Sequence, residues 1–442
     1  MKANRPQSWI RFGINAEKPI LTSCVDYYDG LAIPAHVFAL YRNSLGQSLV
    51  EWNKPYFIDP MTYVFLSNRA IVRKNGGPRL RKSYEKLCEY DKRAEYYLGL
   101  DDLDPNALSN TERTDFADTM ARLVVQVQLD GIAVSGPQKR VKSLQRIQKH
   151  MSGGKDQKFP APAFLVSPYF FFENVGDSTY ELWKKSVKAF EKKVSKKNTD
   201  LPIYKAVCTG QETLSTPQDI SVLLSDLEGS DGVLLWISDF ENSADNPNLL
   251  EGFGNLVKGI KESSAKVVSL YGGYLTALYY HFGLDSLSFG LSYGDNKEVG
   301  SYATGGGAPS RYYDPNLHTF ITANNAVLYY GKSLQNAKRF SCDCRICRDT
   351  KQALQQESQE SKVLQHLEGI FEFKSKAKVS ADWSDMRKHF LFVREKELEN
   401  IGTKSLSDLG KEATDNMSDL GSSEVLDFET LEMTEQLASI GP

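Results

Sequence analysis

Short runs of apolar and β-branched residues recur along the first two-thirds of the chain, and each run ends in a turn-forming residue. Continuous apolar runs, without alternating polar positions, are typical of parallel strands that are buried on both faces. The run at 123–127 is the weakest and is also compatible with a helix. The pattern predicts strands at residues 19–25, 55–60, 123–127, 163–168, 202–208, 232–237, 266–270 and 286–291.

Helical spacing of apolar residues separates most of these runs. Helices are predicted at residues 180–190, 217–227, 248–263 and 274–282. Strands that alternate with helices over this length predict an α/β protein, either a doubly wound sheet or a (β/α)8 barrel. No G-x-G-x-x-G motif follows the first strand, which weighs against the dinucleotide-binding form of the doubly wound sheet.

Charge is balanced over the 442 residues, with a net value of −3, but it is unevenly distributed. Residues 139–149 and 184–197 are basic, whereas the segment from residue 402 onward is acidic and poor in apolar side chains. That segment is predicted to be disordered or loosely helical. No apolar stretch is long enough to span a bilayer and no secretory signal is recognisable, so we expect a cytoplasmic protein with no membrane partner.

Three of the six cysteines lie close together in a C-x-C-x-x-C motif formed by Cys342, Cys344 and Cys347. A turn of this kind directs several thiolates at one centre, which is what a tetrahedral zinc ion requires. The fourth ligand must come from elsewhere, and His389 is preferred over His366. A closed Cys3His site has no open coordination position, so the predicted Zn²⁺ is structural.

Functional residues of α/β barrels gather at the carboxyl ends of the strands. Those ends supply three candidate catalytic carboxylates, Asp59, Asp239 with Glu241 beside it, and Asp295. Paired carboxylates can exchange protons or attack a glycosidic carbon. The structural alternatives are a turn cap for Asp59 and an acidic loop or helix start for Asp239 and Glu241.

Four other side chains are candidates for substrate binding. Tyr169 lies in an aromatic cluster that could sandwich a planar base, although such clusters more often belong to a core. Gln211 follows another predicted strand. The glycine-rich segment 305–307 leads into Arg311 and Tyr312, which could offer a charge and a stacking face to a nucleotide; the alternative is a mobile surface loop.

The cysteine turn after a series of strands and helices, followed by a histidine on a helix, resembles the tRNA-guanine transglycosylase family, which includes DNA 7-deazaguanine transglycosylase relatives. Residues 283–287 resemble the Gly-Val-Asp-x-Phe segment that precedes the family's nucleophile. Residues 270–274 resemble its glycine turn on the strand before, and residues 337–340 its basic and apolar lead into the cysteines. The resemblance covers about residues 19–400.

This resemblance implies a (β/α)8, TIM-like barrel and a C-terminal zinc-binding subdomain. We assign residues 1–335 to the barrel and residues 336–402 to the zinc-binding subdomain with its closing helices. Residues 403–442 form the acidic tail, which is predicted to be disordered.

The active-site motifs of the family are altered in this chain. Asp59 stands where the family begins its Asp-Ser-Gly-Gly-Phe motif, but Pro-Met-Thr follows it. Ser288 stands at the position of the family's nucleophilic aspartate, and Asp295 is the candidate for a nucleophile that has moved. The Gln-Gly-Gly motif that recognises the base is replaced by a sequence that ends in Gln211.

The sequence therefore leaves three hypotheses open. In the first, the protein acts on or binds a nucleobase in tRNA or DNA, by base exchange or other N-glycosidic bond chemistry. In the second, which Ser288 favours, it is a catalytically inactive paralogue that binds nucleic acid, pairs with an active partner subunit or forms a homodimer. The third is a divergent barrel hydrolase with an unrelated substrate.

Overall fold

The structure is a computed structural model. It describes residues 4–13, 17–67, 71–74, 77–98, 103–130, 160–197, 199–242, 246–291, 298–299, 311–322, 325, 344, 347–348, 352, 381–420 and 428–442. Within this part of the chain, parallel strands form a nearly closed eight-stranded barrel flanked by helices, so the fold is α/β and consistent with a TIM-like barrel.

Along the chain, most barrel strands are followed by a helix that leads to the next barrel strand. Two antiparallel hairpins lie outside this repeat. The strands are β1 (Gln7–Arg11), β2 (Gly30–Pro34), β3 (Tyr56–Asp59), β4 (Ile71–Lys74), β5 (Gly77–Leu80), β6 (Leu165–Val166), β7 (Phe171–Phe172), β8 (Ile203–Thr209), β9 (Gly232–Ile237), β10 (Lys266–Leu270), β11 (Ser286–Phe289), β12 (Arg311–Asp314) and β13 (Thr319–Thr322).

The parallel sheet has the order β3-β2-β1-β11-β10-β9-β8-β6, and β7 also pairs with β8. The two ends of this sheet approach each other, because the N–H of Ala163, just before β6, donates to the carbonyl of Tyr56 in β3 at 2.7 Å. The carboxyl ends of the barrel strands therefore share one rim, which we call the mouth of the barrel.

Helices cover the outside of the barrel, and none within the described residues is long and apolar enough to cross a membrane. The helices are α1 (Lys18–Ser23), α2 (Ala35–Trp52), α3 (Lys82–Cys88), α4 (Lys92–Leu98), α5 (Asn110–Asp130), α6 (Ser178–Val194), α7 (Gln211–Ser215), α8 (Pro217–Leu227), α9 (Pro247–Glu262), α10 (Tyr274–Leu278), α11 (Ala381–Thr403), α12 (Leu406–Leu420) and α13 (Glu429–Ile440).

Helix α11 covers the seam between the first and the last barrel strand. The ring of Phe390 packs edge-on against Phe289 of β11, with 5.6 Å between the centroids. Close to the start of β1, Nη2 of Arg5 donates to Oε1 of Glu395 at 3.1 Å. These contacts place α11 where a (β/α)8 barrel has its eighth helix.

Six of the predicted strands and all four predicted helices are confirmed, within a few residues at their ends. The strand prediction at 19–25 is wrong, because most of this segment lies in helix α1, which has a proline in its first turn. The strand prediction at 123–127 is also wrong, since these residues belong to α5. The sequence pattern missed β1 and β2: β1 begins with two polar residues and ends with Arg11, and β2 is a run of only three apolar residues between a glycine and a proline.

The acidic C-terminal segment contains two helices, where the sequence predicted disorder or loose helical structure. Leu409 of α12 and Leu437 of α13 are buried, and a Cβ at Gly410 would lie 2.5 Å from Cβ of Ala438. The few apolar residues lie on one face of each helix, so the two helices can pack closely despite the acidic composition. The predicted domain boundary at residue 335 lies outside the described residues.

Asp285 holds the amino end of β11 to its surroundings. Its carboxylate accepts hydrogen bonds from Nζ of Lys261 at 2.7 Å, Nζ of Lys266 at 2.9 Å and the N–H of Val267 at 2.9 Å. Burial opposes the charged form, but these hydrogen bonds outweigh it and hold the pKa of Asp285 below its ordinary value.

We therefore predict that Asp285→Asn lowers the free energy of unfolding at pH 7 by about 1–2 kcal/mol. A carboxylate with a lowered folded-state pKa stabilises the fold above its unfolded pKa of about 4, and this contribution disappears as pH falls through the folded pKa. Urea unfolding followed by circular dichroism should show a difference between variant and wild type that narrows at low pH. Asp200→Asn, at an exposed site, is the control; a pH-independent difference for Asp285→Asn would contradict the prediction.

Candidate functional site

Cys344, Cys347 and His389 bring three donor atoms within 4.8 Å of one another. Nδ1 of His389 lies 3.2 Å from Sγ of Cys344 and 3.4 Å from Sγ of Cys347. Sulfur and nitrogen ligands of a tetrahedral metal ion stand about 3.5 Å apart when the metal–ligand bonds have ordinary lengths. The donor set and its geometry thus fit a metal ion. Cys342 and the alternative ligand His366 lie outside the described residues.

Strand β12 supports the imidazole of His389 from two sides. Nε2 of His389 lies 2.8 Å from the carbonyl oxygen of Tyr313, so this nitrogen donates and Nδ1 is left with its lone pair toward the sulfurs. The ring of Tyr312 stacks on His389 with 4.6 Å between centroids, and its hydroxyl lies 3.4 Å from Sγ of Cys347. Tyr312 is fully buried here, so it does not provide the stacking face for a substrate that the sequence predicted.

The hairpin of β12 and β13 is also tied to α11 by a buried polar cluster around Glu397. The hydroxyl of Tyr313 donates to both carboxylate oxygens of Glu397 at 3.0 Å, and Nδ1 of His318 lies 2.6 Å from Oε1. Nη1 of Arg394 lies 3.2 Å from Oε2. The hydroxyl of Tyr313 and the imidazole of His318 thereby tie the hairpin that orients His389 to Glu397 of α11.

Inside the mouth of the barrel, Asp59 forms a buried ion pair. Its Oδ2 accepts a hydrogen bond from Nη1 of Arg11 at 2.7 Å, and its Oδ1 accepts from the hydroxyl of Tyr169 at 2.8 Å and from the N–H of Met61 at 3.1 Å. The last contact is the turn-capping bond expected of an aspartate before a tight turn. Asp59 has no exposed surface, so its carboxylate organises the mouth and is not open to a ligand.

The charges around Asp59 are fixed. Burial opposes the charge of Arg11, but Tyr271 and Asp59 together raise its pKa above the ordinary value, so the guanidinium stays protonated. It lies 4.0 Å from the centre of the Tyr271 ring. Burial raises the pKa of Tyr169 and of Tyr271, so both phenols are neutral and Tyr169 donates its hydrogen bond to Asp59.

Aromatic rings close around this ion pair. The ring of Trp236 lies 4.9 Å from Tyr63 and 4.6 Å from Tyr271, and Tyr63 stacks on Tyr169 with 5.9 Å between centroids. Tyr169 is completely buried. The core interpretation of its aromatic cluster therefore fits the structure, and an open platform for a base does not.

The two neighbouring carboxylates after β9 do not form a pair. Glu241 accepts hydrogen bonds from the N–H groups of Gly273 at 2.7 Å and Thr276 at 2.9 Å, and so caps the start of α10. Burial raises the pKa of Glu241 despite these bonds. Asp239 is only half-buried and accepts from Nδ2 of Asn242 at 2.9 Å. Both residues are half-buried after β9, but the carboxylate of Glu241 is committed to the amino end of α10.

Gln211 lies beside Asp239, because its Nε2 is 3.5 Å from the backbone oxygen of Asp239. These two predicted site residues are thus brought together, as are Asp59 and Tyr169. Arg311 is exposed at the start of β12, and Asp295 lies outside the described residues. Sequence reasoning missed Arg11 and Tyr271, since nothing in their local sequence marks them as partners of Asp59.

Three of the seven described residues other than glycine that have a positive φ lie at the mouth. Met61, Asp239 and Tyr271 follow β3, β9 and β10, and their φ angles are +48°, +59° and +59°. Side chains other than glycine rarely adopt this left-handed conformation, and such strain tends to occur at functional sites. A glycine at any of the three positions would have relieved it. These three positions make this rim the candidate functional end of the barrel.

Comparisons with models of known protein families and with curated proteins gave no match.

We predict that His389→Ala and Cys347→Ser each abolish metal binding, because each removes one of the donor atoms around the shared centre. Elemental analysis of the purified wild type should find about one metal ion per chain, as a single closed site requires. Cys88→Ser is the matched control, since Cys88 is a buried thiol on α3 outside the cluster. Undiminished metal content in His389→Ala, or a metal-free wild type, would refute the site.

Proposed function

We propose that the protein is a transglycosylase-like barrel that acts on or binds a nucleobase in tRNA or DNA. The proposal is carried by one observation: a nearly closed parallel barrel is followed by a cluster in which Cys344 and Cys347 meet His389 of its closing helix α11. This is the arrangement that the resemblance to the tRNA-guanine transglycosylases implies. We assign the metal as Zn²⁺, with Cys342 as the remaining ligand, because thiolates and imidazole suit this ion.

The zinc site is structural in this proposal. Of its described ligands, His389 lies on α11 and Cys344 and Cys347 lie earlier in the chain; Cys347 and His389 are buried. A full set of three thiolates and one imidazole leaves no position for a substrate. The ion would hold the hairpin of β12 and β13, the cysteine turn and α11 together over the seam of the barrel.

Asp239 is the described carboxylate best placed for the chemistry, because it is half-buried at the strained mouth. In base exchange, a carboxylate oxygen attacks the sugar carbon, the glycosidic C–N bond breaks, and the departing base takes up a proton. The incoming base then attacks the same carbon, loses a proton from its ring nitrogen and releases the carboxylate. Gln211, beside Asp239, is our candidate for recognition of the base, and Asp295 is the second candidate nucleophile.

A direct test is to incubate the purified protein with tRNA or duplex DNA and labelled 7-deazaguanine. We expect label to enter the polymer, and Asp239→Asn to slow incorporation by about 10²-fold or more, since the amide is not a nucleophile or base. Asp231→Asn, at an exposed aspartate, should leave the rate unchanged. Incorporation that survives Asp239→Asn would remove Asp239 from the reaction.

A second candidate function is a catalytically inactive scaffold that binds nucleic acid or a partner subunit. It is favoured by the burial of Asp59 in its ion pair and of Ser288 within β11, because neither side chain is exposed. In that case the same assay would show binding of the polymer without incorporation of label. Binding would also be the same for wild type and Asp239→Asn.

A further inference from the structure

Helix α6 carries a row of lysines on the side that faces away from the barrel. Its buried residues include Trp183 and Phe190, which pack toward the core. The opposite face presents Lys185, Lys188 and Lys192, and the short helical turn Ser195–Lys197 continues the row. We call this set the lysine stripe; its members are Lys185, Lys188, Lys192, Lys196 and Lys197. All but the half-buried Lys185 are exposed.

The lysine stripe differs from Lys184 and Lys193 of the same helix, because each of those two is paired with a carboxylate. Nζ of Lys184 lies 2.6 Å from Oε1 of Glu181 and 3.7 Å from Oδ2 of Asp226, and Nζ of Lys193 lies 2.6 Å from Oδ1 of Asp118. Within the described part of the chain, the stripe ammonium groups take part in no ion pair or hydrogen bond. Like charges three and four residues apart on a helix repel each other, so their accumulation does not serve stability.

We propose that the lysine stripe binds the phosphate backbone of nucleic acid along the outer wall of the barrel. The choice of partner rests on the function proposed above. The stripe spans residues 185–197, about 18 Å along the axis at the rise of an α-helix. One strand of a duplex presents about five phosphates over that length, which matches the number of lysines.

The position of α6 connects the stripe to the mouth. The helix begins at Ser178, shortly after β7 ends at the mouth, and it runs back toward the amino ends of the strands. A nucleic acid that offers a base at the mouth could therefore continue down this wall. The contact is made by ammonium groups alone, which fix the polymer in place without reading its sequence.

An anionic membrane is a less suitable partner for this surface. A helix that lies in a membrane interface inserts an apolar face into the lipid, whereas the apolar face of α6 packs on the barrel. The large apolar side chains that are exposed among the described residues are Tyr96, Val222 and Ile440, and none of them is on α6. The helix also presents no exposed aromatic ring on which a free base could stack.

The test compares two triple variants of the full-length protein with the same change in net charge. One carries Lys188→Glu, Lys192→Glu and Lys196→Glu in the stripe. The matched control carries Lys82→Glu, Lys92→Glu and Lys411→Glu, at exposed lysines on α3, α4 and α12. Binding of fluorescent tRNA and of a short DNA duplex is measured by anisotropy over a series of salt concentrations.

We expect the stripe variant to bind at least about tenfold more weakly and its dependence of log Kd on log salt to be shallower by about 3, because three phosphate contacts are lost. The control should stay within about twofold of the wild type at every salt concentration, since it removes no phosphate contact. Thermal unfolding by circular dichroism verifies that both variants fold. If the glutamates unfold α6, alanines at the same three positions replace them.

Equal loss of binding in both variants, no loss in the stripe variant, or no binding by the wild type would each overturn the proposal. Vesicles containing phosphatidylserine test the membrane alternative: binding to vesicles that depends on the stripe, with nucleic-acid binding unaffected, would also overturn it. The assay separates this proposal from base exchange. Stripe-dependent binding without incorporation of label removes only the exchange reaction, and incorporation with undiminished binding by the stripe variant removes only the stripe.

Discussion

Pairing of the first strand with the last is the constraint on which the barrel depends. Strand β1 pairs in parallel with β11, and Ile10 lies opposite Phe289. The other neighbour of β1 is β2 and that of β11 is β10, so within the described sheet the first and the last barrel strand meet through this pair. Helix α11 covers this seam through Phe390, which follows directly after His389. The cluster of Cys344, Cys347 and His389 and the seam between β1 and β11 therefore share helix α11. A contact that fixes His389 also fixes the part of α11 that covers this seam.

The ion pair of Arg11 and Asp59 also fixes the position of β1, from inside the barrel. It joins the ends of β1 and β3 across β2, in a layer that the ring of Tyr271 closes. Burying two charges is costly, and removing one partner of such a pair typically costs about 3–5 kcal/mol. The ion pair in turn fixes the geometry of the mouth. A strained backbone, such as that of Asp239, persists only where the surrounding structure holds it in place.

The sequence predicted the central strands because they are mainly apolar and end in a turn signal, most clearly β9, which is a continuous apolar run. It could not predict β1, whose inward Arg11 is neutralised only by a residue two strands away. The sequence was enough to link the closely spaced cysteines to His389, because only a few residue types serve as ligands in a metal site of this kind. The roles of Glu241 and Tyr312 could not be predicted, because each depends on a neighbour that is distant in the sequence. Glu241 caps the start of α10, and Tyr312 stacks on the ring of His389.

The interior of the barrel also limits where a nucleophile can be. Ser288 is the parallel neighbour of Trp9, and both side chains are buried. In the described part of the chain, Oγ of Ser288 has no hydrogen-bond partner, and the cation of this interior, Arg11, already neutralises Asp59. A carboxylate at Ser288 would be a second buried negative charge without a cation of its own, which proteins avoid. If the barrel carries out the proposed exchange, its nucleophile must therefore be a carboxylate of the rim, such as the half-buried Asp239.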